Sequence, residues 1–298
     1  MAQIERNKRG ENTPHGKKVT PYKTGLDAGN AYWMARLAKE VYLNASESQT
    51  ANDQPSTAPD EERILANLLE EDKGFVSVFG VSRNSEQAAL IEHQNYLCIA
   101  FRGTDELADW LDNLNAFSTP DLFGEFHRGF WQSVEDVWPS LNAKFRQLQQ
   151  QTPRPLFITG HSLGGAMATI AAAKLVHEDK PFTSVYTFGQ PRVLTRATAR
   201  IFNSECLSRY FRFHNNNDIV TRAPARVMGY SHIGSYLYIS SEQQIHQEAG
   251  WWFKFIDYVD GAVSALLEEG IDLVEDHDID NYLTAVEKWD LVEASRDR

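Results

Sequence analysis

A serine stands between two glycines in the stretch Gly160-His161-Ser162-Leu163-Gly164, which matches the pattern G-x-S-x-G. The apolar run at 155–159 before it predicts a buried strand, and the alanine-rich run at 166–176 after it predicts a helix. This setting is typical of a nucleophile elbow, a strained strand-to-helix turn that presents a serine hydroxyl above a sheet edge. A phosphate-cradling turn is the alternative, but the chain has no G-x-G-x-x-G or Walker pattern. The stretch therefore predicts that Ser162 is a nucleophile.

A serine hydroxyl becomes a good nucleophile only when a base takes its proton and an acid orients that base. With an elbow serine, the acid and then the histidine follow along the chain. Asp218 comes just after a predicted strand at 209–213, so we expect it at the sheet edge where the elbow lies, although an Asp there can also merely order its own turn. The order of residues does not choose among three later histidines, His232, His246 and His277.

A parallel sheet is the element that would bring these side chains together. The predicted strands cover residues 75–81, 88–91, 96–102, 155–159, 182–188, 209–213 and 235–240. The predicted helices cover 28–42, a segment capped by Asp60, 129–151, 166–176, 195–206, 251–268 and 281–291. This alternation predicts an α/β fold with a mostly parallel sheet and helices on both faces. We expect one domain over residues 21–298, after a disordered segment at 1–20.

The composition excludes several classes of protein. The 298 residues carry a formal net charge of −12, which argues against a nucleic-acid partner and against charge-driven binding to anionic lipid. Cys98 and Cys206 give neither a disulfide framework nor metal-ligand spacing. No apolar run of about 18 residues predicts a transmembrane segment, and the basic N-terminus lacks the apolar part of a secretory signal. We expect a soluble protein, cytoplasmic or exported by a signal-independent route.

Several short stretches follow one another along the chain. They are Phe101-Arg102-Gly103-Thr104, His127-Arg128-Gly129-Phe130, Gly160-His161-Ser162-Leu163-Gly164-Gly165, Thr187-Phe188-Gly189-Gln190-Pro191-Arg192-Val193, Asn217-Asp218-Ile219-Val220, and Asp276-His277 with Tyr282 beyond. This ordered set resembles the class 3 lipases, the fungal-type triacylglycerol lipase family of α/β-hydrolases. The resemblance implies that Ser162 is the nucleophile, Asp218 the acid and His277 the base, with His232 structural. It implies no metal and no cofactor.

The resemblance also implies an oxyanion hole made by the backbone N–H of Leu163 and by the N–H and hydroxyl of Thr104. Each such donor stabilises the charge on the carbonyl oxygen in the transition state by about 3–4 kcal/mol. The residues agree with this assignment, because Thr104 follows the predicted strand 96–102 and so lies at the same sheet edge as Ser162. A capping role for Thr104 at the start of the next helix is the simpler alternative, and both roles are compatible.

The segment after Thr104 carries an apolar stripe at helical spacing. Its members are Leu107, Trp110, Leu111 and Leu114. Periodicity alone favours an ordinary surface helix, whereas the resemblance implies a lid helix that covers Ser162 in water and turns its apolar face to lipid.

The chain departs from the fungal members of the family in two further features. It lacks their several disulfides, and it carries an aromatic cluster at 251–255. We favour a core role for this cluster over a role as a lipid anchor.

The expected function is that of a serine carboxylic-ester hydrolase, a triacylglycerol lipase acting at a lipid-water interface through an acyl-enzyme. Phospholipase A1 and soluble esterases, including feruloyl esterase, are alternatives that share the family's site. A catalytically dead hydrolase fold used for binding is an alternative from another class. It is disfavoured because candidates for all three triad members, Ser162, Asp218 and His277, are present.

Overall fold

An eight-stranded sheet is the centre of the molecule in a computed structural model, which describes residues 16–44, 58–104, 117–247 and 276–290. Its strands, in chain order, are β1 (Phe75–Arg83), β2 (Glu86–His93), β3 (Tyr96–Phe101), β6 (Leu156–His161), β7 (Ser184–Phe188), β9 (Tyr210–Asn215), β11 (Ser235–Ile239) and β12 (Ile245–Gln247). They lie side by side in that same order. The pairs from β3 to β11 are parallel, and the outer pairs are antiparallel, which confirms a mostly parallel sheet.

Helices cover both faces of this sheet. They are α1 (Ala28–Glu40), α2 (Glu61–Glu71), α3 (Arg128–Gln151), α4 (Leu163–His177), α5 (Arg196–Cys206) and α6 (Ile279–Lys288). Strand β3 shows why both faces need cover, because all six of its side chains are buried. Leu97, Ile99 and Phe101 pack into the core under α3 and α4, while Tyr96 and Cys98 pack into the core under α1 and α6. A strand buried on both faces is typical of a parallel sheet.

Local signals account for the helix starts. Asp27 and Asp60 accept hydrogen bonds from the backbone N–H groups of Asn30 and Arg63, so each caps a helix, as the sequence predicts for Asp60. Helix α4 begins at Leu163, earlier than the predicted 166, because the elbow turn passes directly into the helix.

A second, four-stranded sheet was not predicted from the sequence. It consists of β4 (Ser118–Asp121), β5 (Gly124–His127), β8 (Leu194–Thr195) and β10 (Tyr230–Ser231), in the order β10, β8, β5, β4. These strands have two to four residues each, too few for an alternating pattern to appear. The short strand β12 was missed for the same reason.

Residues 16–20 pack against α1, although the sequence suggested disorder up to residue 20. The Lys17 carbonyl accepts a hydrogen bond from Trp33 Nε1 at 3.1 Å, and the Thr20 N–H donates to Asn30 Oδ1 at 2.8 Å. These backbone contacts order the segment. The predicted lid residues, the aromatic cluster at 251–255 and the helix at 251–268 lie outside the described residues.

Cys98 and Cys206 are both buried free thiols, as expected for small apolar side chains. No helix within the described residues is long and apolar enough to cross a bilayer.

Gly164 is the position where the fold leaves no room for a side chain. A Cβ there would lie 2.1 Å from the carbonyl oxygen of Phe101, so Gly164→Ala must force α4 away from β3. We expect a loss of about 3 kcal/mol in the free energy of unfolding, measured by urea denaturation. The matched control is Gly129→Ala in α3, where the nearest atom would be 3.4 Å away. Equal stability of the two variants would contradict this packing argument.

Candidate active site

Ser162 occupies the turn between β6 and α4 with a strained backbone. Its φ is 58° and its ψ is −129°, a conformation that L residues rarely adopt. The Ser162 N–H donates to the carbonyl of Phe188 at 2.9 Å, which attaches the turn to the end of β7. Such strain costs about 1–3 kcal/mol and persists only where the surroundings enforce it. The predicted elbow is therefore present at Ser162.

The two flanking glycines are required by close backbone packing. A Cβ on Gly160 would lie 2.2 Å from the carbonyl oxygen of Gly164, and a Cβ on Gly164 would lie 2.1 Å from the carbonyl oxygen of Phe101. The two glycines of the G-x-S-x-G motif are therefore explained by the close packing of β3, β6 and α4 around Ser162.

Asp218 and His277 lie in direct contact, although 59 positions separate them in the chain. His277 Nδ1 and Asp218 Oδ2 are 2.8 Å apart, and both side chains are buried. Gly189, with a φ of 60°, lets the chain after β7 pass close to both residues, since a Cβ there would lie 2.8 Å from Asp218 Oδ2. The structure therefore brings together the predicted acid and one of the three candidate histidines.

Three further hydrogen bonds define the surroundings of this acid. Val220 N–H donates to Asp218 Oδ1 at 2.9 Å, and the Tyr282 hydroxyl donates to Oδ2, the oxygen that faces His277. The Asn215 N–H in turn donates to the Tyr282 oxygen at 3.0 Å. Because the carboxylate is fully buried, these donors replace the water that it would otherwise bind.

The electrostatics favour an ionised Asp218. Burial alone acts to raise its pKa, but the neighbouring His277 and the hydrogen bonds from His277 and Tyr282 outweigh burial, so the pKa lies below its ordinary value. The pKa of Tyr282 is raised well above its ordinary value by burial and by the adjacent carboxylate. Tyr282 therefore remains a neutral phenol that donates to Asp218.

Ser162 Oγ and His277 Nε2 are both buried, and within the described residues neither atom has a hydrogen-bond partner. In serine hydrolases, contacts between nucleophile and base are often long without substrate and tighten in the reacting complex. The pair can therefore take part in proton transfer without first breaking another hydrogen bond.

The other two candidate histidines do not contact Asp218. His232 Nε2 donates to the Thr221 carbonyl at 2.7 Å, and burial together with nearby arginines lowers its pKa well below the ordinary value. His246 lies on the outer strand β12, where it is exposed and faces Tyr238. Geometry thus separates histidines that sequence order alone left equivalent.

The two predicted oxyanion donors flank the elbow. Leu163 is the first residue of α4, and Thr104 follows β3. A Cβ on Gly103 would lie 2.9 Å from Ser162 Cβ, so the residue before Thr104 packs directly on Ser162. The lid residues Leu107, Trp110, Leu111 and Leu114 lie in the part of the chain that the structure does not describe.

Some polar contacts of the site were not found from the sequence. In the sequence, Tyr42 fits an apolar helical pattern and His161 fits the elbow motif, yet the two side chains are hydrogen-bonded to each other next to Ser162. Tyr282 belongs to the ordered motifs, but no sequence pattern places its hydroxyl on Asp218. Among the described residues, no group of three His, Cys, Asp or Glu side chains could hold a metal ion.

The family model described as Lipase (class 3) matches residues 98–228, which contain Ser162 and Asp218. A secreted mono- and diacylglycerol lipase A from Penicillium cyclopium is 31% identical over 156 residues, which are 51% of this chain and 50% of the relative. The chloroplastic phospholipase A(1) DAD1 from Arabidopsis thaliana is 28% identical over 176 residues, 52% of this chain and 39% of the relative.

The chain spans half the length or less of the first curated relatives that it matches. Among solved structures, a mono- and diacylglycerol lipase from Aspergillus oryzae superposes with a TM-score of 0.61 at 20% identity, covering 74% of this chain and 86% of that one. At this identity the superposition shows a shared fold, that of the α/β-hydrolases.

Tyr282→Phe tests the role of the phenol in stabilising the Asp218 carboxylate. The pKa of the Asp218 carboxyl is lower in the folded protein than its ordinary value, so the ionised carboxylate stabilises the fold at pH values above the unfolded-state pKa. This stability is lost as the pH falls through the folded-state pKa. We expect the variant to lose about 1–3 kcal/mol of unfolding free energy near neutral pH. The deficit should narrow as the pH falls from neutral through the depressed pKa of Asp218, leaving the pH-independent cost of the unpaired Asn215 N–H.

The measurement is urea denaturation across this pH range. Tyr96→Phe is the control, because it removes a buried hydroxyl that has no hydrogen-bond partner within the described residues. A Tyr282→Phe deficit that does not change with pH would contradict the assigned effect on Asp218.

Proposed function

We propose that this protein, whose residues 98–228 match the family model described as Lipase (class 3), is a serine carboxylic-ester hydrolase whose substrates are acylglycerols, triacylglycerols foremost. The observation that carries the proposal is the strained Ser162 turn beside a buried Asp218–His277 hydrogen bond. A strained elbow directs a nucleophile out of the turn between strand and helix, and the ionised acid orients a base. Neither feature is needed for a binding protein.

The first half of the reaction forms an acyl-enzyme. Ser162 Oγ attacks the ester carbonyl carbon while His277 Nε2 accepts the hydroxyl proton. Asp218, held ionised by its donors, stabilises the imidazolium that forms and keeps the Nδ1–H side of the ring directed toward itself. The negative oxygen of the tetrahedral intermediate lies against the N–H of Leu163 and against the N–H and hydroxyl of Thr104.

The intermediate collapses when the ester C–O bond breaks and His277 gives its proton to the departing alcohol. Water then attacks the acyl-enzyme, with His277 again as the base, and the fatty acid leaves as Ser162 regains its proton. Every proton thus passes through Nε2 of His277, the atom that has no other partner within the described residues.

The names of the relatives favour acylglycerols as the proposed substrate class. The Penicillium cyclopium protein is named a mono- and diacylglycerol lipase, and it matches at higher identity than the named phospholipase A(1). We further propose that the protein acts at a lipid-water interface, with Leu107, Trp110, Leu111 and Leu114 on a lid helix that opens there. Phospholipase A1 and soluble esterase activity, feruloyl esters included, remain the competing specificities of the same site.

Labelling with a fluorophosphonate probe tests the nucleophile. We expect wild-type protein to bind one probe and Ser162→Ala to bind none, because Ser162 is, within the described residues, the serine on a strained strand-to-helix turn. Ser204→Ala is the control, since Ser204 is an exposed serine of α5 whose hydroxyl donates to the Ile201 carbonyl. Labelling that survives in Ser162→Ala would contradict the proposal.

Substrate specificity is tested with emulsified trioctanoin, emulsified dioctanoin, a diacyl phosphatidylcholine and soluble p-nitrophenyl butyrate. We expect the trioctanoin rate to rise sharply when the substrate concentration passes its solubility limit, because the lid then meets an interface. Faster release from phosphatidylcholine would identify a phospholipase instead. Hydrolysis of the soluble ester alone would identify an esterase, and no turnover of any ester would favour a binding protein.

A further inference from the structure

Tyr42, which is partly buried, and His161, which is buried, form a hydrogen-bonded chain that the reaction steps above do not use. His161 Nδ1 lies 2.8 Å from the Tyr42 hydroxyl, and His161 Nε2 lies 2.6 Å from the backbone carbonyl oxygen of His277. The Gly103 N–H donates to the Tyr42 oxygen at 3.1 Å. The chain therefore joins the turn before Thr104, the elbow residue next to Ser162 and the main chain of the proposed base.

The direction of every hydrogen bond in this chain is fixed by chemistry. A carbonyl oxygen can only accept, so the proton of the neutral His161 ring must be on Nε2. Nδ1 is then an acceptor, and the hydroxyl proton of Tyr42 must point to it. The Tyr42 oxygen still has lone pairs to accept from Gly103. Because Tyr42 and His161 each donate one of these hydrogen bonds and accept another, the three segments that they join cannot shift independently without losing a hydrogen bond.

Packing restricts the same loops. A Cβ on Gly103 would lie 2.3 Å from the Tyr42 hydroxyl oxygen and 2.9 Å from Ser162 Cβ, so the Gly103 backbone fits between them. The Arg102 guanidinium lies 5.3 Å from the centre of the Tyr42 ring, which adds a cation–π contact to the phenol. The position of Tyr42 is thus over-determined by its neighbours.

His161 also has to remain uncharged. Its ring centre lies 4.5 Å from that of His277, the residue that becomes an imidazolium in the proposed reaction. Burial first, and then the neighbouring His277, lowers the pKa of His161 to about 3. A neutral ring donates to the His277 carbonyl without adding a second positive charge beside the base.

We propose that Tyr42 and His161 are positioning residues that act as one unit, holding the Gly103–Thr104 peptide and the His277 main chain in register with Ser162. The unit fixes the distance between the oxyanion donor and the base, which come from segments more than a hundred positions apart in sequence. Its loss misplaces groups that act in the transition state, whereas substrate binding depends on other surfaces. This inference rests on the proposed ester hydrolysis.

Tyr42→Phe tests the unit with the soluble ester p-nitrophenyl butyrate. The change removes one oxygen atom and leaves the ring in place. We expect kcat to fall by about ten- to a hundredfold while KM stays within about twofold, because the loss affects the transition state and not the binding of substrate. Tyr96→Phe, which also removes a buried tyrosine hydroxyl, is expected to keep the wild-type kcat.

A second substitution separates positioning from simple structural support. His161→Leu removes both ring contacts, and adding Tyr42→Phe to it should cause no further fall in kcat, because members of one unit are non-additive. His161→Gln keeps one donor and one acceptor and should recover part of the activity lost in His161→Leu. A wild-type kcat in Tyr42→Phe, or independent losses that multiply in the double variant, would overturn the proposal.

Nitrogen NMR of the histidine rings gives a readout that needs neither turnover nor a substitution. The proposal requires wild-type His161 to be the neutral Nε2–H tautomer from about pH 5 to pH 9. An Nδ1–H tautomer or a protonated ring in that range would overturn it. If wild-type protein hydrolyses no ester, the proposed function fails, and the tautomer measurement still decides whether the hydrogen-bonded chain exists.

Discussion

A fully buried carboxylate is the group around which the site is organised. Asp218 is fully buried, so the fold must supply donors to its charge, and they come from two segments. Val220 comes from the turn after β9, and His277 and Tyr282 come from the chain around the start of α6. Removing any donor from a buried charge costs more than an ordinary hydrogen bond. The hydrogen bonds to Asp218 are therefore complete only with α6 in its place against the sheet.

The second constraint is the close approach of main-chain segments at the carboxyl ends of the parallel strands. The parallel strands β3, β6, β7 and β9 all end at one edge, and that edge carries Gly103, Ser162, Gly189 and Asp218 in turn. The glycines make this arrangement possible, because a side chain at Gly103 or Gly189 would collide with the elbow or with the acid and base. Strain at Ser162 is thus maintained by packing on both sides of β6.

Much of this was predictable from the sequence, for physical reasons that differ between residues. The elbow is a local feature, since an apolar strand, two glycines and a small-residue helix specify it within about twenty positions. Asp218 was predictable because it follows a buried strand, and α/β sheets place such residues at one edge. The choice of His277 needed the family resemblance, because no local pattern reports which distant loop returns to the acid. The contacts of Tyr42 were hidden, since an aromatic residue at the end of an amphipathic helix looks like any core residue.

A crystal structure of a covalent phosphonate adduct measures directly whether Ser162, His277 and the two proposed oxyanion donors face one reacting atom. We expect phosphorus bonded to Ser162 Oγ, with His277 Nε2 within hydrogen-bond distance of the ester oxygen. We also expect the phosphoryl oxygen to lie between the N–H groups of Leu163 and Thr104. An adduct on another residue, or a phosphoryl oxygen directed away from both N–H groups, would show that these groups do not form one catalytic site.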